Sequence, residues 1–253
     1  MAKEQSNATR ADEASYPDDD ELENPVWASL NGPHSRFAAV LGAAAAYDAE
    51  VAPFAALAHP GDPSAWDDLE ALSAGRPVAL VGVSTSAVPE GWRIETDFDV
   101  LQMTHDGVTW GELHDDGVRA LGADDVRDML RLVERARPGP FLPRTIELGR
   151  YVGVRLPADE GGLVAMAGER FDTGHWREVS AVSVDPLHRG DGLGTRVTRA
   201  VLDGMRSSGH RPFLHVTVAN PAVTLYRRLG FRVRRRMSIV VVHAGDPHAS
   251  IEQ

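Results

Sequence analysis

The chain has 253 residues, 43% of them hydrophobic, and a formal net charge of -11. That size allows a substantial core, built as one large domain or two small ones. The negative balance argues against nucleic acid as the main partner, because phosphate binding needs a basic surface. The absence of cysteine excludes disulfides, thiolate metal sites and a cysteine acyl-enzyme.

Residues 1–23 hold eight acids, two bases and no apolar run. They read as a disordered acidic tail that cannot bury enough apolar area to fold, and not as a secretory leader. The most apolar stretch, Phe37 to Leu57, is interrupted by Asp48, Glu50 and Pro53 and is unsuited to spanning a bilayer. A soluble, cytoplasmic protein is expected, with no membrane partner.

Residues 24–115 contain three segments that return later in the chain. His59-Pro60-Gly61-Asp62-Pro63 echoes His188-Arg189-Gly190-Asp191-Gly192, the run from Gly75 parallels that from His210, and Gly91-Trp92-Arg93-Ile94 matches Gly230-Phe231-Arg232-Val233. The offset grows from 129 residues at His59/His188 to 139 at Gly91/Gly230, as expected of a duplicated fold with deletions. A shared strand-helix-strand rhythm is the simpler alternative.

In residues 116–247 a short strand at Val118 to Leu121 leads to a helix over about 124–137, with Val126, Met129, Leu130 and Val133 on one face. After a proline-rich break and a short helix near Thr145, three strands are predicted: Tyr151 to Leu156, Leu163 to Phe171, and Glu178 to Val184. A glycine-rich turn opens a helix with Leu193, Val197, Val201 and Met205 in one stripe. A strand at Pro212 to Val218, a short helix at Ala222 to Leu229 and a strand from Phe231 to Val242 complete a mixed α/β pattern.

The turn carries the strongest chemical signal. Arg189-Gly190-Asp191-Gly192-Leu193-Gly194-Thr195 places three glycines and an arginine ahead of a helix. A helix N-terminus offers unpaired N–H groups and partial positive charge to a pyrophosphate, and glycines let the backbone approach it. Arg189 adds a cation able to fork onto a phosphate. The loop has neither the Gly-Lys-Ser/Thr ending of a P-loop nor the GxGxxG spacing of a dinucleotide turn. The ten histidines show no HExxH or other metal spacing, so no metal is expected.

With these residues the chain resembles the GNAT superfamily of acetyltransferases. Arg189 to Gly194 fits that family's R-x-x-G-x-G/A loop. Ala222-Val223-Thr224-Leu225-Tyr226-Arg227-Arg228-Leu229-Gly230-Phe231 fits its A-x-x-L-Y-x-x-x-G-F segment. The order of elements is similar to that of the glycine N-acyltransferases. The resemblance covers about residues 117–243. It implies a mostly antiparallel twisted sheet flanked by helices, in two tandem halves, with residues 24–115 a degenerate copy. Pro60 and Pro63 there replace the arginine and a glycine, and that half is expected to hold no cofactor.

The resemblance further implies transfer of an acetyl group from acetyl-CoA to the amine of a small molecule or peptide, in a ternary complex. The strand of Val182, Ser183 and Val184 would splay from its neighbour and hold the pantetheine arm through its backbone. Tyr226 would protonate the coenzyme A thiolate. Asn220 lies two residues before Ala222 where the family's asparagine lies three before, and it either contacts the cofactor or caps the next helix. Glu178, four residues before Val182 and on the same strand face by period-2 counting, is the base candidate, with Glu169 its rival. Either is otherwise a solvated carboxylate, and His215 reads as a core histidine. The four arginines at 232 and 234–236 meet either adenosine phosphates or solvent. A non-catalytic acyl-CoA-binding regulator and a transferase of longer acyl groups are the alternatives, and an oligomer is compatible with all of them.

Overall fold

The computed structural model describes residues 17–105, 115, 117–156 and 162–245. Its first half runs α1 (Pro25–Leu30), β1 (Ala38–Leu41), β2 (Ala44–Tyr47), β3 (Phe54–Leu57), α2 (Pro63–Ser73), β4 (Val78–Val81) and β5 (Trp92–His105). The second runs β6 (Arg119–Leu121), α3 (Val126–Ala136), β7 (Tyr151–Arg155), β8 (Leu163–Asp172), β9 (Trp176–Val184), α4 (Leu193–Ser207), β10 (Arg211–Thr217), α5 (Ala222–Arg228) and β11 (Phe231–Ala244). Every element expected from sequence in the second half is present within a few residues of its predicted bounds. The Thr145 segment is a 3-10 turn, Thr145–Leu148.

All strands join one sheet in the order β1-β2-β3-β4-β11-β5-β10-β9-β8-β7-β6. Its two parallel contacts, β3 with β4 and β9 with β10, lie symmetrically about the central antiparallel pair β11–β5. Each long strand lies beside a strand of the other half, β5 against β10 and β11 against β4. The division at 115/116 therefore splits the chain but not the sheet.

The repeated segments occupy corresponding places. His59 and His188 precede the helix of a parallel β-α-β unit, Arg76 and Arg211 lie at the return strand, and Gly91 and Gly230 open the two long central strands. Helices α1 and α3 cover one face of the sheet. There Leu22, Tyr47, Phe54, Phe171, Trp176 and Phe213 form the largest core cluster. On the opposite face α4 and α5 cover the second half and α2 the first. The α4 stripe Leu193, Val197, Val201 and Met205 is wholly buried there, as its spacing requires.

The tail expectation needs a correction at its C-terminal end; residues 1–16 lie outside the described residues. Pro17–Leu22 is a 3-10 helix and Leu22 is fully buried. Glu21 accepts bonds from Thr173 Oγ1 at 2.5 Å and pairs with His175 Nδ1 at 2.7 Å. Glu23 pairs with Arg234 at 2.6 Å and also with Arg235. Acidic residues that look solvated in sequence are here matched by partners far along the chain, Thr173 and His175 for Glu21 and two arginines for Glu23, which makes residues 17–23 a strap across the sheet. This also decides three of the four arginines: Arg234 and Arg235 hold the strap, and Arg236 pairs with Asp99.

Candidate active site

Strand β9 pairs with β8 along its length but with β10 only at Trp176, Arg177 and Glu178, opposite Arg211, Pro212 and Phe213. β9 then runs on to Val184 and β10 to Thr217. Past the Glu178–Phe213 position the two strands diverge, as expected for Val182 to Val184. Backbone groups on that side of β9 are left without a β10 partner.

At the divergence Ala181 takes φ of 52°, and the register with β8 slips between Met166 and Gly168. This is a β-bulge, whose extra residue turns over every side chain beyond it. Trp176 and Glu178 lie on the α1 face with Phe213, whereas Val182 and Val184 pack toward α4. The expectation that Glu178 and Val182 share a face is thus wrong by one residue. Period-2 counting holds only within an unbroken strand. Ser183 is buried, its Oγ donating to the Ala181 carbonyl at 3.0 Å.

The loop from β9 to α4 has the geometry of an anion cradle. Gly190 and Gly192 have φ of 100° and 78°, a region that favours glycine, and a Cβ at either would meet no atom within 4 Å. The space beside both glycines is open to a ligand the size of a phosphate. Gly192 caps α4 without any side-chain bond, and the first helical bond runs from Arg196 N–H to Gly192. The amides of Leu193, Gly194 and Thr195 consequently have no helical acceptor and point outward. The Leu193 side chain is core, so only its backbone can face a ligand. Exposed Arg189 lies 3.5 Å from the Ala136 carbonyl. Asp191 is solvent-facing, 3.5 Å from His188, and offers the cradle its backbone alone. These residues fit a pyrophosphate.

The corresponding helix α2 does not. Its N-cap Asp62 already accepts the Ser64 N–H through its own carboxylate, and Pro63 at the first position has no N–H. A fixed negative charge sits where the other helix leaves donors unpaired.

Tyr226 is buried on the α4 face against Phe231, with ring centroids 5.9 Å apart. Burial pushes its phenol up to about 12. Asn220 Oδ1 accepts the Ala222 N–H at 2.9 Å, so the helix-start reading describes what its side chain does.

Glu178 is not disposed to act as a base. It is fully buried, accepts two bonds from Arg170 at 2.6 and 2.8 Å, and accepts a third from His215 Nδ1 at 2.7 Å. Burial alone would push the carboxyl up, but the Arg170 charge and these hydrogen bonds outweigh it and hold it at about 2. A carboxylate so stabilised has little affinity for a proton. The rival Glu169 is equally buried; its Oε2 accepts from Arg177 and from the Arg150 amide, each at 3.1 Å, and its Oε1 lies 3.5 Å from Arg150 Nε. His215 is no inert core residue, since it bridges β9 and β10 at their point of separation. A histidine in an apolar run gives no sign of such a bridge; its partners lie 37 and 113 residues away, at Glu178 and Gln102.

A family model described as FR47-like protein matches residues 151–240. A GNAT-family protein from Novosphingobium aromaticivorans, assigned to the acetyltransferases, is 37% identical, with 89% of this chain and 99% of that one covered and a TM-score of 0.81. The fold is shared with a GCN5-related N-acetyltransferase from Kribbella flavida at 23% identity, over 88% and 95% of the chains, with a TM-score of 0.58. It is shared too with a tandem GNAT protein from the clavulanic acid biosynthesis pathway, at 17% identity, over 80% and 78% of the chains, with a TM-score of 0.50. No curated protein matches the chain. The chain belongs to the GNAT family, and that membership makes it an acyltransferase that draws its acyl group from an acyl-coenzyme A. Among the described residues no cluster of His, Asp and Glu is arranged to hold a metal, and no helix is long and apolar enough to cross a membrane.

Proposed function

We propose that the protein is an N-acetyltransferase that moves an acetyl group from acetyl-CoA to a primary amine by direct attack, at one site in its second half. The observation that carries this reading is the early end of the β9–β10 ladder beside the uncapped start of α4. The amides of Leu193 to Thr195 and the Arg189 guanidinium would hold the pyrophosphate. The bulged backbone at Ala181 and Val182 would lie along the thioester arm and donate to its oxygen.

The donor supplies an activated carbonyl and a thiolate leaving group. A phenol held at about 12 keeps its proton throughout the neutral range, so Tyr226 has a proton to give. It gives the proton up as charge builds on sulfur.

The first half acts as a degenerate copy that completes the sheet and shapes the acceptor side. Supporting this are the matching positions of the three repeated segments and the self-capped helix α2. The test is a panel of small primary amines and amino-terminal peptides, read by release of coenzyme A thiol, together with calorimetric titration of acetyl-CoA. One site per chain and turnover with a primary amine are expected. A second site of similar affinity contradicts the degenerate reading, and binding without transfer to any amine contradicts the enzyme.

A further inference from the structure

The bulge at Ala181 separates two groups that straight strand counting would merge. Tyr226 packs with Leu193, Val216 and Phe231 on the α4 face of the sheet. His215 lies on the opposite face, edge-on to Phe213 at 5.6 Å, two residues beyond the last paired position of β10. The opening between β9 and β10 is thus flanked by a proton donor on the face of the cradle and an imidazole on the other.

The imidazole is held in one form by its neighbours. Nδ1 is 2.7 Å from Glu178 Oε1, and a carboxylate this firmly ionised can only accept, so Nδ1 carries the hydrogen. Nε2 faces the Gln102 amide nitrogen at 3.3 Å, a donor, which requires an unprotonated Nε2. The Gln102 amide makes its shorter bond, 2.9 Å, to the Leu22 carbonyl, and its oxygen accepts from Arg234 at 3.0 Å. The contact to Nε2 is the long one of the three, and the one an incoming nitrogen would replace. Arg170 of β8, with Tyr151 and Tyr47 beyond it, and Glu23 of the strap complete the charged and titratable groups around the pair.

We propose that His215 is the general base for the acceptor amine, with Glu178 as the residue that positions it. This rests on the acyltransferase reading above. One proton passes from the attacking nitrogen to His215 Nε2 as the N–C bond forms. The electron pair of the C–S bond leaves with sulfur, which takes the Tyr226 proton, and exchange of one proton with solvent restores both side chains. Glu178 bonds the imidazole at Nδ1 and leaves Nε2 for the acceptor, so the charge that develops on the ring lies against a carboxylate within a buried pair.

The experiment uses the full chain with acetyl-CoA and the best amine of the panel, or water as acceptor if no amine is taken. Wild-type kcat/KM should rise with pH through one ionisation. His215→Gln should lose that limb and lower kcat by about 10²-fold or more, the scale of general base catalysis, with acetyl-CoA affinity within about twofold. Full turnover in His215→Gln overturns the proposal while leaving the acyltransferase reading intact. Absence of any transfer by wild-type protein overturns that reading instead. Ring nitrogen NMR decides the proton arrangement without turnover, the His215 signals being those lost in His215→Gln. Nδ1 protonated with Nε2 bare at neutral pH, shifting toward the Nε2–H form in Glu178→Gln, is the expected result. An Nε2–H tautomer or an imidazolium in wild type overturns the proposal.

Discussion

Replacing Glu178 with glutamine keeps the shape of the side chain and removes its charge, leaving the Arg170 guanidinium buried without a counter-ion. Arg170 side-chain exposure is 12% and Glu178 exposure 1%, so little water can compensate. Breaking a buried ion pair from one side costs about 3–5 kcal/mol. For a chain of this size that corresponds to a fall of about 10 °C in Tm, measurable by calorimetry or circular dichroism. The pH dependence adds a signature. A carboxyl held at about 2 in the folded state, against a usual 4.5, contributes stability on the order of 3 kcal/mol at neutral pH. That contribution is complete above pH 4.5 and disappears as pH falls through 2, so wild type and Glu178→Gln should converge over this window. His34 is buried and pushed down from 6.5 to about 4, so its contribution is lost earlier in the acidification, as pH falls from 6.5 toward 4. This loss occurs in both proteins and serves as an internal reference. A Tm within about 2 °C of wild type, smaller than the change for even one kcal/mol, would refute the buried-pair reasoning, as would a gap that stays constant on acidification.

Further outcomes follow from the cradle and the strap. Arg189→Ala removes the cation proposed to bind the pyrophosphate and should weaken acetyl-CoA binding about ten- to a hundredfold by calorimetry. Gly192→Ala puts a methyl into the proposed phosphate site, at a φ that disfavours it, and should weaken binding similarly. A chain beginning at residue 24 loses buried Leu22, whose burial is worth about 1.5–3 kcal/mol, and should melt below the full-length protein. Equal melting temperatures would show that the strap does not hold the sheet.

The second half of the fold was legible because its signals are local. The α4 stripe, the glycine turn and the Tyr226 motif each lie within about one helix of sequence, where spacing is governed by helical and strand periods. The turn into α4 was legible for the same reason, since glycines ahead of an apolar stripe mark both a turn and a helix start. Features set by long-range pairing were not legible. The bulge at Ala181 uses an alanine at positive φ, with no glycine to mark it, and it inverted the face assigned to Val182 relative to Glu178. The Arg170–Glu178–His215 group joins three strands, so no single window could show that Glu178 is already satisfied. The acids of residues 17–23 looked like a solvated tail because their partners, His175, Arg234 and Arg235, lie more than 150 residues away. Nor does a sequence pattern give the exchange of β5 and β11 between halves, which depends on register in the finished sheet.

The most direct test of the account is the turnover of Tyr226→Phe. In the mechanism proposed above the phenol hydroxyl donates to sulfur as the thioester breaks, an interaction absent from the ground state. Removing it should lower kcat by about 10²-fold or more while acetyl-CoA affinity and Tm stay near wild type. The measurement is release of coenzyme A thiol under saturating acetyl-CoA and the best acceptor amine. Such a loss of kcat alone is the result the account predicts. Wild-type turnover in Tyr226→Phe would contradict it, leaving Tyr226 as a packing residue beneath a site that works by other means.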